Sequence, residues 1–170
     1  MLRCALTGTP GTGKTSISKL LDTDIVHLSD FYESSSNGKT DEGEWLIELD
    51  LLNDKIRSLS KNEGIFEGHT AHFLDDIDQV IILRCDPFVL KERLNVRDYS
   101  KEKIMENLEA EALNIIYMET LDNIDKEKIF QFDTTNKSPK ESARMIKDFM
   151  AGNVKLEETF DYSERIMDWY

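Results

Sequence analysis

Only two cysteines, three prolines and 21 cationic residues occur in the 170-residue chain, against 34 Asp and Glu. Each shortage excludes something. Cys4 and Cys85 both lie inside apolar, strand-like runs with no metal ligand at zinc-site spacing. They read as buried, reduced thiols of an intracellular, cytoplasmic protein. No apolar run approaches the length of a membrane span, and the N-terminus reads as a strand and not as a signal sequence. A net charge of −13 excludes a general nucleic-acid binder, which presents a basic surface. Internal repeats and low-complexity tracts are absent. What is left, 39% hydrophobic and 32% charged, is a chain of one domain's length, 1–170, able to bury a single good core.

The charge is unevenly placed. Between Asp22 and Asp54 stand ten acidic residues (22, 24, 30, 33, 41, 42, 44, 48, 50, 54) against Lys39, a balance of −9. Between Lys91 and Lys103 the sign reverses, with five Lys and Arg (91, 93, 97, 101, 103) against three acids (92, 98, 102). Such a split assigns the two segments separate jobs.

Residues 8 to 15 read Gly-Thr-Pro-Gly-Thr-Gly-Lys-Thr. This is the G-x-x-x-x-G-K-[ST] phosphate loop. Gly8, Gly11 and Gly13 permit backbone conformations that turn successive N–H groups inward as an anion nest, with Pro10, Thr12 and Ser16 in the same stretch. Lys14 brings a cation to the β- and γ-phosphates, and the Thr15 hydroxyl can ligate Mg²⁺. The context agrees: Leu2 to Leu6 reads as a buried strand before the loop, and Ile17, Leu20 and Leu21 recur at helical spacing behind it. A helix beginning near Gly13 would aim its positive end at the same phosphates. The chain is thus expected to bind a nucleoside triphosphate, ATP in the first instance.

Further along, residues 24–28 read as a second strand and 33–43 as a loop or insert. Trp45 to Leu59 carries Leu46, Leu49, Leu52, Ile56 and Leu59 at helical steps. Residues 64–67, 79–83 and 128–132 read as three more strands. Asp86-Pro87 and Ser138-Pro139 open helices, the latter ending near Gly152. Ser100 caps a long helix expected to run to about Asn123, apolar at Ile104, Leu108, Ala112, Ile115 and Met118. Strands alternating with helices predict an α/β fold with a parallel sheet, whose ligands sit at the carboxyl ends of the strands.

That rule selects the chemistry. Glu67 ends the third strand, where a phosphate-loop enzyme keeps a second acid for Mg²⁺; the alternative is an ordinary strand-end carboxylate. His69 follows two residues later, either structural or placed to orient a water or phosphate. His27 and His72 read as structural. Arg93 and Arg97, at i and i+4 in the one basic segment, can close over a transferring phosphoryl group.

Three stretches carry a resemblance: Phe66-Glu67-Gly68-His69; Leu83-Arg84-Cys85-Asp86-Pro87 running into Lys91 to Leu94 and Arg97 to Ser100; and Lys103-Ile104 with Glu106 to Glu111. With the phosphate loop they resemble the nucleoside monophosphate kinases, and within these the small adenylate kinase isoenzyme 6 group, also described as a ribosome-maturation ATPase. The resemblance covers about residues 2 to 150. It implies a five-stranded phosphate-loop NTPase sheet of order 2-3-1-4-5, a short lid at about 93–103, and Mg-ATP phosphorylating AMP with slow ATP hydrolysis beside it. It further implies catalytic roles for Lys14, Glu67, His69, Arg93 and Arg97, and an adenine cradle in Thr135 to Pro139 with Asn136, Lys137 and Ser138 at its centre. A monophosphate-binding segment at about 29–61 and an association with a basic small-subunit ribosomal protein complete it.

One departure bears on the acceptor. Adenylate kinases usually bring an arginine from the monophosphate segment to AMP, and none stands between Leu28 and Ile56. Lys39, Lys55 and Arg84 are the substitutes to consider, the lysines lacking the bidentate fork. AMP, a protein segment presented during ribosome assembly, and a small metabolite all stay open as the second substrate or partner. The acidic segment is either a solvated face or a dock for a basic protein. The tail at 153–170 lies outside the resemblance, with Leu156, Phe160, Ile166 and Trp169 or Tyr170 packing on the core or meeting a partner.

Overall fold

The computed structural model describes residues 2–156 and 159–169. Five parallel strands form its centre: β1 (Arg3–Gly8), β2 (Ile25–His27), β5 (Gly64–Glu67), β6 (Gln79–Arg84) and β7 (Ile129–Asp133). A separate antiparallel hairpin pairs β3 (Ser36–Lys39) with β4 (Trp45–Ile47). The main sheet is ordered β2-β5-β1-β6-β7, which is 2-3-1-4-5 when only its own strands are counted. The expected α/β fold is therefore present.

Alternation along the strands explains why helices cover both faces. Ala5, Phe66, Val80 and Ile82 point to one face, where Leu52 and Ile56 of α3 (Leu49–Ser58) meet them. Cys4, Leu6, Ile65, Ile81 and Leu83 point to the other, against Ile17 of α1 (Lys14–Ser18) and Ala143 and Ile146 of α7 (Pro139–Met150). A third cluster joins Cys85 and Leu90 and Leu94 of α4 (Pro87–Asn95) to Ile104 and Leu108 of α5 (Lys101–Ala112). This cluster sets α4 and α5 on the end of β6. A short α2 (Ser29–Tyr32) follows β2 directly.

Three local expectations are corrected. Trp45 begins a strand, not a helix, and α3 starts only at Leu49. Trp45 and Ile47 face the core while Leu46 is half exposed, a period of two that a helical count of leucines conceals. The long helix after Ser100 breaks at Asn114, which adopts a left-handed φ of 56° and starts α6 (Ile115–Leu121) in a new direction. Ile116, Tyr117 and Leu121 then reach the core, whereas Ile115 and Met118 stay exposed. The helix behind the phosphate loop spans only five residues, so the loop's own amides carry more of any anion site than a helix dipole does.

The tail packs on the core. Leu156 joins the cluster under α7, and Trp169 joins the cluster between α4 and α5. The carbonyl of Phe160 accepts from Arg84 at 3.2 Å, Tyr162 donates to Asp133 at 3.0 Å, and Arg165 pairs with Asp86 at 2.8 Å. Tyr170 lies outside the described residues.

Candidate active site

β1 delivers the phosphate loop at the carboxyl end of the sheet because its last residue, Gly8, can turn where a side chain cannot. A Cβ there would stand 2.7 Å from the Leu83 carbonyl oxygen. Gly11 at φ 92° is pressed against Leu90 and Leu94 of α4, with room for no Cβ. The loop is closed from within: Thr12 donates its hydroxyl to the Thr9 carbonyl at 2.8 Å. Lys14 folds back over it, its ammonium donating to the carbonyls of Gly8 at 2.6 Å and Thr9 at 3.1 Å. Desolvation lowers the Lys14 pKa to about 8, with Glu67 pulling it up and Arg97 pushing it down. A phosphate drawn into this cleft restores the charge balance that the ammonium lacks.

Around Lys14 the cleft is lined by Thr15, Glu67, His69, Arg97 and Tyr99, with Pro10, Gly11, Gly13 and Ser16 on the loop side and Ser29, Tyr32 and Gly68 opposite. Residues from four separate stretches thus converge on one space. Thr15 Oγ1 lies 3.4 Å from Glu67 Oε1. Two hard oxygen donors at this spacing suit Mg²⁺, which takes few protein ligands and completes its shell with water and phosphate oxygens. Glu67 is buried, and its other oxygen accepts from His27 Nδ1 at 2.7 Å. His27 is therefore no bystander: the last residue of β2 orients the carboxylate at the end of β5. No local pattern marks it, since the two residues meet only through strand pairing.

His69 sits edge-on to Tyr32 with ring centroids 5.1 Å apart, and the two side chains are in hydrogen-bond contact at 3.3 Å. Burial pulls its pKa to about 4, with the Lys14 cation acting in the same direction and Glu44 against it. The imidazole is neutral at physiological pH. His72, expected to be structural, is buried between Thr7 at 3.2 Å and Glu119 at 3.0 Å.

The arginine pair divides. Arg97 follows α4 and lines the phosphate cleft. Arg93, within α4, donates to the carbonyls of Thr134 at 2.8 Å and Thr135 at 3.2 Å, and reaches the Gly11 carbonyl at 3.5 Å. It clasps the phosphate loop to the segment after β7. In that segment Lys137 donates to the Asp133 carbonyl at 3.0 Å, and Ser138 caps α7 in a reciprocal capping box with Glu141. Asn136 lies in the turn just before Lys137.

The β3–β4 hairpin borders a second space. Asn37, Trp45, Ile47, Glu48 and Leu49 border a recess that shares His69 with the phosphate cleft. Lys39 stacks over the Trp45 ring at 4.1 Å. Arg84 is corrected as an acceptor ligand: it is 1% exposed and ion-paired to Glu111 at 2.7 Å, inside the protein and away from the cleft.

A family model described as an AAA domain matches residues 5–114. A Halobacterium salinarum protein named "Putative adenylate kinase" is 37% identical over 171 residues, covering 97% of this chain and 100% of its own. A Pyrococcus abyssi protein of the same name is 39% identical over 156 residues, 89% of this chain and 85% of its own. Among solved structures, shikimate kinase from Acinetobacter baumannii in complex with shikimate superposes with a TM-score of 0.58 at 16% identity, over 90% of this chain and 94% of that one. TT1252 from Thermus thermophilus gives 0.59 at 12% identity, over 90% and 98%. The structural likenesses establish the fold, and the near-full-length sequence identities establish the relationship. The chain belongs to the adenylate kinase family of phosphate-loop enzymes represented by these archaeal proteins, and it is a phosphotransferase.

Proposed function

We propose that the protein transfers the γ-phosphoryl group of ATP to AMP, forming two ADP, and hydrolyses ATP slowly when no acceptor is seated. The observation that supports this reading is that the Lys14–Glu67–His69–Arg97 cleft and the recess bordered by Trp45 share His69, as neighbouring donor and acceptor pockets would.

ATP lies with its phosphates over residues 8–16 and its base toward Asn136, Lys137 and Ser138. An AMP phosphate oxygen attacks the γ-phosphorus as the bond to the β–γ bridging oxygen breaks, and the electron pair leaves on ADP. The attacking oxygen carries no proton at neutral pH, so this step needs no general base. Lys14 and Arg97 stabilise the charge spread over the transferring group, and Arg93 holds the donor side closed. Thr15 and Glu67 would hold Mg²⁺, which when bound neutralises phosphate charge. In hydrolysis the attacking water does lose a proton. With its pKa near 4, His69 is a weak base, so its task is to orient that water.

A second reading is favoured by the acceptor segment's charge. No arginine stands between Leu28 and Ile56, and Asp41 and Glu42 are exposed at the hairpin turn. In this reading the chain is a partner-gated cytoplasmic ATPase, and the turn docks a basic protein, by resemblance one of the small ribosomal subunit. A small-metabolite kinase is the remaining alternative. Coupled measurement of ADP formation with and without AMP separates them. AMP-dependent production of two ADP per ATP supports the kinase; AMP-independent turnover stimulated by a basic ribosomal protein supports the second reading. Association through the turn weakens steeply with salt and is slowed by Asp41→Lys with Glu42→Lys.

A further inference from the structure

A buried hydrogen bond ties the phosphate loop to the lid-side helix. Thr9 Oγ1 donates to Glu111 Oε2 at 2.5 Å, and both residues are almost fully buried. Thr9 is also the residue whose carbonyl accepts from Lys14 and from the Thr12 hydroxyl. Glu111 is itself held at several points. Its Oε1 accepts from Arg84 Nε at 2.7 Å and from the Cys85 amide at 3.0 Å, and its carbonyl accepts from Arg84 Nη2 at 2.8 Å. The charge of Arg84 is thus met by Oε1, while Oε2 is turned toward the loop. The same helix, α5, carries Lys103 near its start, paired with Glu44 of the acceptor-side hairpin at 2.7 Å.

We propose that Glu111 is a positioning residue for ATP: through Thr9 it holds the phosphate loop in its binding conformation before nucleotide arrives. The loop needs such a hold. Three glycines at positive φ give it many alternative conformations once freed, and ordering them on binding would consume affinity. A buried hydrogen bond to a carboxylate is among the stronger kinds available to prevent this. A purely structural Glu111 would need only its bonds to Arg84 and Cys85. The Thr9 bond satisfies the remaining buried oxygen of Glu111 and at the same time fixes the loop, so the loop's share has to be read from ATP affinity and not from stability.

The test cuts the tie without touching the ion pair. Thr9→Val keeps the side-chain shape and removes the donor; Thr9→Ser keeps the donor. ATP affinity is measured by titration in the absence of acceptor, together with steady-state KM and kcat and the melting temperature. The expected result for Thr9→Val is a rise of about tenfold in Kd and KM for ATP, with a smaller change in kcat and recovery in Thr9→Ser. Should the valine variant fold poorly, Thr9→Ala is the second variant, since it leaves space for a water on Glu111 Oε2 while still cutting the tie. Unchanged ATP affinity in a folded Thr9→Val or Thr9→Ala protein overturns the proposal, as does a Thr9→Ser protein as weak as Thr9→Val. The proposal rests on ATP binding at the loop and not on the acceptor. Failure of wild-type protein to bind ATP would count against that reading itself, whereas unchanged variant affinity counts only against Glu111.

Discussion

The Lys103 ammonium lies 2.7 Å from the Glu44 carboxylate, joining the start of α5 to the turn of the β3–β4 hairpin. Both charges act on His69, from opposite signs. It ties α5 to the hairpin, and under the proposed function it would act as a latch beside the acceptor recess. Glu44 is half exposed, so the pair adds under ~1 kcal/mol to stability. Its effect should fall on acceptor binding. Lys103→Ala and Glu44→Ala are each expected to raise the acceptor KM a few fold, and the double variant should be no worse than either single one. Additive effects in that double-mutant cycle would show that the latch does not operate.

Arg93 and Arg97 are expected to separate kinetically. Arg97 lines the phosphate cleft, and its loss should lower kcat by ~100-fold or more with little effect on KM for ATP. Arg93 is spent on backbone carbonyls at Gly11, Thr134 and Thr135, so Arg93→Ala should raise KM for ATP and lower the melting temperature. Steady-state kinetics of both variants check this; matching kcat losses would restore the paired-clamp picture.

Both thiols are expected to be inert in the native protein. Burial raises the pKa of Cys4 and of Cys85 to about 12. At pH 8 their thiolate fraction is then ~10⁻⁴, and alkylation should follow unfolding instead of direct attack. The unfolded chain ionises these thiols near pH 9, so stability contributed by the buried neutral forms is present below that value and lost as pH rises toward 12. Iodoacetamide labelling of native protein at a rate matching denatured protein would contradict the burial.

Legibility in the sequence followed distance along the chain. The phosphate loop, the strand before it and the caps at Asp86, Ser100 and Ser138 are local patterns, and each stands where its pattern places it. The hairpin was obscured because Leu46, Leu49 and Leu52 fit a helical count, although Gly38 at positive φ marks an irregularity in β3 and Gly43 at positive φ marks the hairpin turn. Asn114 was a readable break, as asparagine tolerates the left-handed region. The pairings His27–Glu67, Thr9–Glu111 and Arg84–Glu111 join residues 40, 102 and 27 positions apart. Sheet order and helix packing create them, and no spacing rule encodes them.

His27 supplies the last prediction. Glu67 divides its carboxylate, one oxygen accepting from His27 Nδ1 at 2.7 Å and the other facing the Thr15 hydroxyl at 3.4 Å. A carboxylate held at one oxygen presents the other in a fixed direction, and outer partners of this kind commonly change metal affinity by ~10-fold or more when removed. His27→Ala should therefore raise the Mg²⁺ concentration needed for half-maximal activity, with kcat at saturating Mg²⁺ affected less. His27→Asn, whose amide can still donate, should recover part of the loss. Because His27 is only partly buried, the variant should fold, and its melting temperature without Mg²⁺ should stay close to wild type. A Mg²⁺ titration of nucleotide binding gives a readout separate from turnover. If His27→Ala leaves both Mg²⁺ curves unmoved, Glu67 is aligned by its strand alone and the imidazole is structural after all.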